Sequence, residues 1–205
     1  MRKLSTIIIT LLLVAGLTNK AQAQLPVDFG IKGGINLANI ISDDDLDSLI
    51  GFHGGLVLDI SLPALPIGIE SGIYYSQKGA EITEGSFTGT GRLNYIEVPV
   101  MAKFSFGPPG PISPHFVIGP YAAYNVKAEF EITDGTSTFT EDFSDEITDL
   151  DFGGTIGIGT DFNVGLTKLN VQARYSRGFV DINDNGFEED REYNSVFSIS
   201  AGIMF

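Results

Sequence analysis

Apolar and polar residues alternate with a period of two along most of this chain. That is the spacing at which successive side chains of a β-strand point to opposite faces. In residues 29–37, Phe29, Ile31, Ile35 and Leu37 fall on odd positions, with Gly30, Lys32, Gly34 and Asn36 between them. The same rule predicts seven further strands, at about 50–60, 67–78, 92–106, 114–130, 151–164, 168–180 and 193–205. The fourth sets Ile96, Val98, Val100, Ala102 and Phe104 against Tyr95, Glu97, Met101 and Lys103. Parity carried through the fifth puts Tyr124, Val126 and Ala128 on one face and Tyr121, Asn125, Lys127 and Glu129 on the other. No stretch past the first twenty residues sustains a helical period.

The connections between these strands alternate in length. Residues 38–49, 79–91, 131–150 and 181–192 are long, whereas 62–66, 107–113 and 165–167 are short and rich in Pro or Gly. Acid sorts the same way: counting Asp151 with the third, the long connections hold 20 of the 26 Asp and Glu. Aromatic residues gather at both ends of the apolar face. Phe29, Phe104, Phe106, Phe116, Phe162 and Phe205 fall at the short-turn end; Phe52, Tyr75, Phe130, Phe152, Phe179 and Tyr193 fall at the other. Two aromatic girdles, an even strand number, and long loops opposite short turns are the marks of a barrel whose apolar face meets lipid. A soluble antiparallel barrel would turn that face inward and expose the other, but here the other face carries abundant Gly and isolated mid-strand charges. The expected fold is all-β: an eight-stranded, up-and-down, antiparallel transmembrane β-barrel. Its long loops are expected to be extracellular and both termini periplasmic.

The first residues bear on the compartment. Arg2 and Lys3 precede residues 7–17 (IIITLLLVAGL), and Ala21-Gln22-Ala23 offers small residues two apart. This is the layout of a secretory signal, with cleavage expected before Gln24. A span of 11 residues is too short for roughly 30 Å of hydrocarbon at about 1.5 Å per residue. The chain then divides into a signal peptide, 1–23, and one barrel domain, 24–205. Cysteine is absent, which excludes disulfides, thiolate metal sites and a lipid-modified cysteine. The formal charge is −14, and the signal carries three of the 12 basic residues and no acid, so the mature chain stands at 9 − 26 = −17. A nucleic-acid partner needs a basic footprint, and this chain has the opposite.

Five segments resemble the PorT-type outer-membrane β-barrel domain family: residues 30–36 (GIKGGIN), 74–80 (YYSQKGA), 93–104 (LNYIEVPVMAKF), 119–121 (GPY) and 173–182 (ARYSRGFVDI). The likeness runs over essentially the whole mature chain, and 93–104 is its most specific part. The resemblance implies fold and outer-membrane location in a Gram-negative envelope, and it brings no catalytic residues. Its founding member is linked to a secretion system, a role that the likeness alone does not transfer.

A barrel of eight strands has room for little beyond its own side chains. Lys32, Asp59, Glu70, Glu97, Lys103, Asp161 and Arg174 share the inward parity, so opposite charges are expected to pair in the lumen, centred on Arg174. Lys127 and Glu129 are expected to face inward with them. No Ser-His-Asp or Gly-x-Ser-x-Gly arrangement is evident, and the two histidines, His53 and His115, belong to opposite ends of their strands. Catalysis is therefore not expected. Residues 181–192 (DINDNGFEEDRE) match the spacing of a calcium loop, with Asp181, Asn183, Asn185 and Glu192 as oxygen ligands and Gly186 at the turn. The same run also has the composition of an ordinary Asn-Gly hairpin loop. The expected function is structural or surface-interacting, with a closed, charge-filled lumen; an accessory part in a secretion or transport complex is the alternative. Expected partners are outer-membrane lipid, the barrel-insertion machinery and a protein at the external loops. No cofactor is expected beyond that calcium ion.

Overall fold

The computed structural model describes residues 26–42, 46–62, 65–84, 87–107, 110–133, 138–144, 147–182 and 191–205. The expected signal peptide lies outside them. The alternating segments form β1 (Val27–Ile41), β2 (Asp47–Ser61), β3 (Ile67–Glu84), β4 (Phe87–Ser105), β5 (Ile112–Thr133), β6 (Thr138–Asp142), β7 (Leu150–Val164), β8 (Thr167–Gly178) and β9 (Tyr193–Met204). Neighbours pair antiparallel in the order β4-β3-β2-β1-β9-β8-β7-β5, and β4 pairs with β5 to close the ring. Eight strands thus make a closed barrel without an edge. β6 is additional and pairs with β5 alone among the described residues.

The polarity of the barrel is inverted with respect to a soluble protein. Ile158 is 66% exposed on the outer surface, while Glu70 inside is 0% exposed. Along β1, Val27, Phe29, Ile31, Ile35 and Leu37 all point out, and Lys32 and Asn36 are buried. Ten steps from Val27 to Leu37, at about 3.4 Å each and a tilt of about 40°, give an apolar band roughly 26 Å tall. This is the height of a hydrocarbon core crossed by a barrel. Such an apolar belt is stable only where lipid covers it. Two of the short turns carry a glycine in the left-handed region, Gly107 (φ 87) and Gly165 (φ 66), where a side chain would be strained.

β3, β4 and β5 run well past this band, and one residue of β5 changes what the extra length can do. The β4–β5 register passes from Asn94↔Lys127 to Tyr95↔Asn125, so Val126 is an extra residue on β5. Such a bulge reverses the faces of everything beyond it. Before it, Tyr121, Ala123 and Asn125 face the lumen; after it, Ala128 is buried toward the axis and Lys127 is outside. The expectation that Lys127 and Glu129 line the lumen is therefore wrong. Lys127 pairs with Glu129 at 2.7 Å on the outer surface, and Arg92 pairs with Glu131 beside them.

The segment 131–150, expected to be a loop, instead continues β5 to Thr133 and returns as β6, pairing Ile132 with Phe139 and Phe130 with Glu141. Beyond the band, β3 to β6 thus form a four-stranded apron in which Ile82, Gly89, Ile132 and Phe139 line up opposite one another. Ala80, Leu93, Ala128, Phe130, Ile132 and Phe139 share its axis-facing side by register. Phe130, expected to be a girdle residue on the lipid face, turns to this side and packs edge-on against Phe143, with ring centroids 6.5 Å apart. The apron has the polarity of a soluble sheet.

Candidate functional site

The lumen is filled by polar layers stacked along the axis. At the short-turn end, Lys103 Nζ donates to Asp59 Oδ2 and to Asp161 Oδ2, both at 2.6 Å. Lys168 Nζ bridges Asp28 Oδ2 at 2.6 Å and Asp59 Oδ2 at 3.2 Å. Asn170 completes the layer by donating to Asp161 Oδ1 at 2.6 Å. Asp59, Lys103, Asp161 and Lys168 line a basin of about 530 Å³ that also touches Ser61 and Ser113 near the short turns. Above it, Lys32 and Glu70 form a buried pair at 2.7 Å, and the Gln172 side chain reaches Lys32 and His115.

The next layer is built mainly of neutral polar groups around Arg174, with Lys78 and Glu97 on its border. Asn36 Oδ1 accepts from the Ser198 hydroxyl and meets His53 Nδ1, each at 2.8 Å, and Asn36 Nδ2 donates to Ser76 Oγ at 3.1 Å. The guanidinium of Arg174 lies over the Tyr74 ring, 5.5 Å from its centroid, a cation–π contact. The space left here is about 10 Å³, enough for about one water.

Lys78 sits in the layer nearest the long loops. Its ammonium lies 2.9 Å from Glu97 Oε2 and 3.2 Å from Asp151 Oδ2, with the rings of Tyr121 and Tyr95 at 4.3 and 4.9 Å. The Tyr121 hydroxyl and Asn194 Nδ2 both donate to Asp151 Oδ2, at 3.0 and 2.9 Å. An apolar lid closes over this layer: Leu93, Tyr95, Tyr121, Ala123, Ala128 and Ile182 form one cluster, with Ile40, Phe143 and Ile147 packed against it. Two bonds border the lid: the Ser144 hydroxyl accepts from the Ala128 N–H at 2.9 Å, and the Thr148 N–H donates to the Ile182 carbonyl at 3.0 Å. Asp142 accepts from the Ser144 hydroxyl at 2.6 Å and from its N–H at 3.0 Å; these bonds hold the Asp142 carboxyl below the usual carboxylate range.

The seven inward charges named from parity are all buried, but their arrangement is not centred on Arg174. Among the described residues Arg174 makes no ion pair; Lys78, Lys103 and Lys168 each join two carboxylates, and Lys32 pairs with Glu70. Parity alone ranked Arg174 first because it could not see the Tyr74 ring beneath the guanidinium. Lys78 lay on the inward row of the third strand and could have been chosen from sequence. Asp151 shared the inward parity of the sixth strand, but its charge was counted with the preceding loop. His53 and His115 bond in different layers. In the expected calcium loop, Asp181 and Glu192 come together: the Glu192 N–H donates to Asp181 Oδ1 at 3.2 Å, and the Ile182 N–H donates to the Glu192 carbonyl at 3.0 Å. Asn183 and Asn185 lie outside the described residues. Among the described residues no cluster of three or more His, Asp or Glu could hold a metal ion.

Comparison with known proteins places this geometry. A family model described as an outer membrane protein beta-barrel domain matches residues 20–184. A major outer membrane protein from Thermus thermophilus is similar in structure at 13% identity, over 88% of this chain and 99% of that one, with a TM-score of 0.51. Neisserial surface protein A matches at 13% identity over 86% and 95%, TM-score 0.48. Ail, the attachment invasion locus protein of Yersinia pestis, matches at 14% identity over 87% and 98%, TM-score 0.45. At such identities the likeness concerns the fold. No curated protein matches in sequence.

Proposed function

Because the chain belongs to the outer-membrane β-barrel domain family, we propose that it is a closed, non-catalytic barrel that holds the apron of β3 to β6 outside the cell as an interaction surface. The observation that carries this reading is the bulge at Val126. A strand built only to cross lipid has no use for a residue that turns its far end polar outside and apolar inside. The filled lumen and its lid argue against conduction. In this reading the long loops are extracellular, the short turns and both termini are periplasmic, and residues 1–23 are removed on export. The segment 93–104 supports placing the chain in the PorT-type branch of the family.

The test uses the absence of cysteine. Thr138→Cys, at the tip of the apron, should react with a membrane-impermeant maleimide on intact cells, and Ser61→Cys, beside a short turn, should react only after the outer membrane is opened. The reverse pattern would refute the orientation. An accessory role in a secretion or transport complex is separated by crosslinking on intact cells, which should then recover a stoichiometric partner. Weak calcium binding by residues 181–192 remains part of the proposal. It requires that Asp181→Ala with Glu192→Ala lower the calcium response more than neutralising two acids of 131–150 at equal ionic strength.

A further inference from the structure

The barrel has no edge, but the apron does. β6 pairs through Glu129↔Asp142 to Thr133↔Thr138 with β5 and has no strand on its other side among the described residues. The direction of its backbone groups follows from one bond. The Phe143 N–H donates to the Ala128 carbonyl at 3.1 Å, so in an antiparallel ladder Glu141 and Phe139 also turn their N–H and C=O toward β5. The groups of Thr138, Thr140 and Asp142 then point away from it. All five residues of β6 are exposed, so water solvates this edge, and an added strand could replace that water.

The faces on either side of the edge say what kind of strand fits. Toward the axis it would meet Phe139, 64% exposed, and Ile132, 42% exposed, with Glu141 farther along that row beside Phe130. On the outer face it would meet Asp142 next to Glu129 and Thr140 next to Glu131, where the carboxylates Glu129, Glu131 and Asp142 outnumber the cations Lys127 and Arg92 paired with the first two. Alternate side chains of an added strand therefore see a mainly apolar row and a row of net negative charge in turn. A second copy of this chain suits the edge poorly. Antiparallel self-pairing about Thr140 sets Phe139 against Glu141, and two mature chains of charge −17 repel each other.

Resting on the reading of the apron as an exterior surface, we propose that β6 is a docking edge for an extended segment of a partner protein whose residues alternate between apolar and basic. The segment adds a fifth strand to the apron, with its apolar side chains beside Phe139 and Ile132 and its basic ones beside Asp142, Glu129 and Glu131.

The mature chain folded in lipid nanodiscs would be titrated with a labelled, end-capped peptide of alternating lysine and valine, and with a peptide of the same composition in two blocks. Thr140→Pro deletes one outward N–H without removing a bond of the β5–β6 ladder; Thr140→Val keeps that N–H and serves as the control. Wild type and Thr140→Val should bind the alternating peptide equally, with binding at least tenfold weaker for Thr140→Pro and for the block peptide. Equal binding by Thr140→Pro and wild type would overturn the docking edge and leave only diffuse attraction of a cation to acidic loops. Absence of binding would overturn it too. A nanodisc population carrying two paired copies would then identify a second chain as the occupant, and a single copy would point to the protein's own loops. Maleimide labelling of Thr138→Cys on cells is independent of all these outcomes, so a failed exterior reading is distinguishable from a failed edge.

Discussion

The two halves of β5 show how one strand serves two solvents. From Ile112 to Asn125 its outward side chains are those of a lipid-facing strand, with Ile118 and Tyr124 exposed and Val117 and Tyr121 buried inside. From Ala128 onward the order is reversed, and Ala128 goes inward while Lys127 goes out. The lesson is that a strand cannot leave the membrane by lengthening alone. Its alternation must be inverted, because lipid rewards apolar atoms outside and water rewards them inside. β4 makes the change in its sequence, by placing Leu93 on the inward row and Arg92 on the outward one. β5 makes it with a single inserted residue. The two zones also differ in how they bury charge. The basin around Lys103 has room for water, whereas Lys78 lies beneath an apolar lid.

Giving the extra residue a partner should have the largest effect. One residue inserted between Asn94 and Tyr95 of β4 would stand opposite Val126 and make the alternation unbroken, turning Lys127 and Glu129 toward the axis and Leu93, Ala128 and Phe130 outward and dismantling the lid. A loss of about 5 kcal/mol or more is expected, since a one-residue slip reverses every side chain beyond it and buries charge unpaired. Urea titration of the protein in lipid vesicles measures this, and an unchanged midpoint would mean that the apron folds independently of its polarity.

The contrast between the dry and wet zones is sharpened by two lysines. Lys78→Ala leaves Glu97 and Asp151 facing each other beneath the lid and should cost about 3–5 kcal/mol, as breaking a buried pair does. Lys103→Ala leaves Asp59 and Asp161 beside the basin, where water reaches them, and should cost about 1–3 kcal/mol. Equal losses in the same titration would show that the basin is as dry as the lid.

Two isoleucines make the same comparison for apolar surface. Ile182→Ala leaves a cavity in the lid cluster and should cost about 2–4 kcal/mol. Ile158→Ala, on the lipid face, loses contact that acyl chains refill and should cost about 1–2 kcal/mol. If the second loss exceeds the first, the lid is not a packed core.

The smallest effect concerns Asp142. Its carboxyl is held below the usual range by the Ser144 hydroxyl and N–H. The sign follows: the stabilisation is present above the unfolded carboxylate pKa and is lost as pH falls through the lower folded value. Amide protection factors in the β5–β6 hairpin, taken relative to the intrinsic exchange rate at each pH, should therefore fall on acidification, and Asp142→Asn should lessen that pH response while the membrane zone stays unchanged. Equal acid sensitivity in wild type and Asp142→Asn would place the response elsewhere.

Much of this was legible in the chain. Period-two alternation, the parity of loop lengths and the segregation of acid were enough for eight strands, the barrel and its lipid-facing side, because solvent and lipid act on every residue through local side-chain direction alone. The inward charges Lys32, Asp59, Glu70, Glu97, Lys103, Asp161 and Arg174 could be named for the same reason. Which of them pair could not, since Lys103 meets Asp161 across 58 residues and Lys78 meets Asp151 across 73. Only closure of the ring brings those strands face to face. The bulge at Val126 was equally hidden: an inserted residue is visible only against the register of β4, and without that register parity carried Lys127 and Glu129 to the wrong side. β6 and the lid were decided by the same tertiary context, in which residues 138–142 become a strand because β5 runs out past the membrane to receive them.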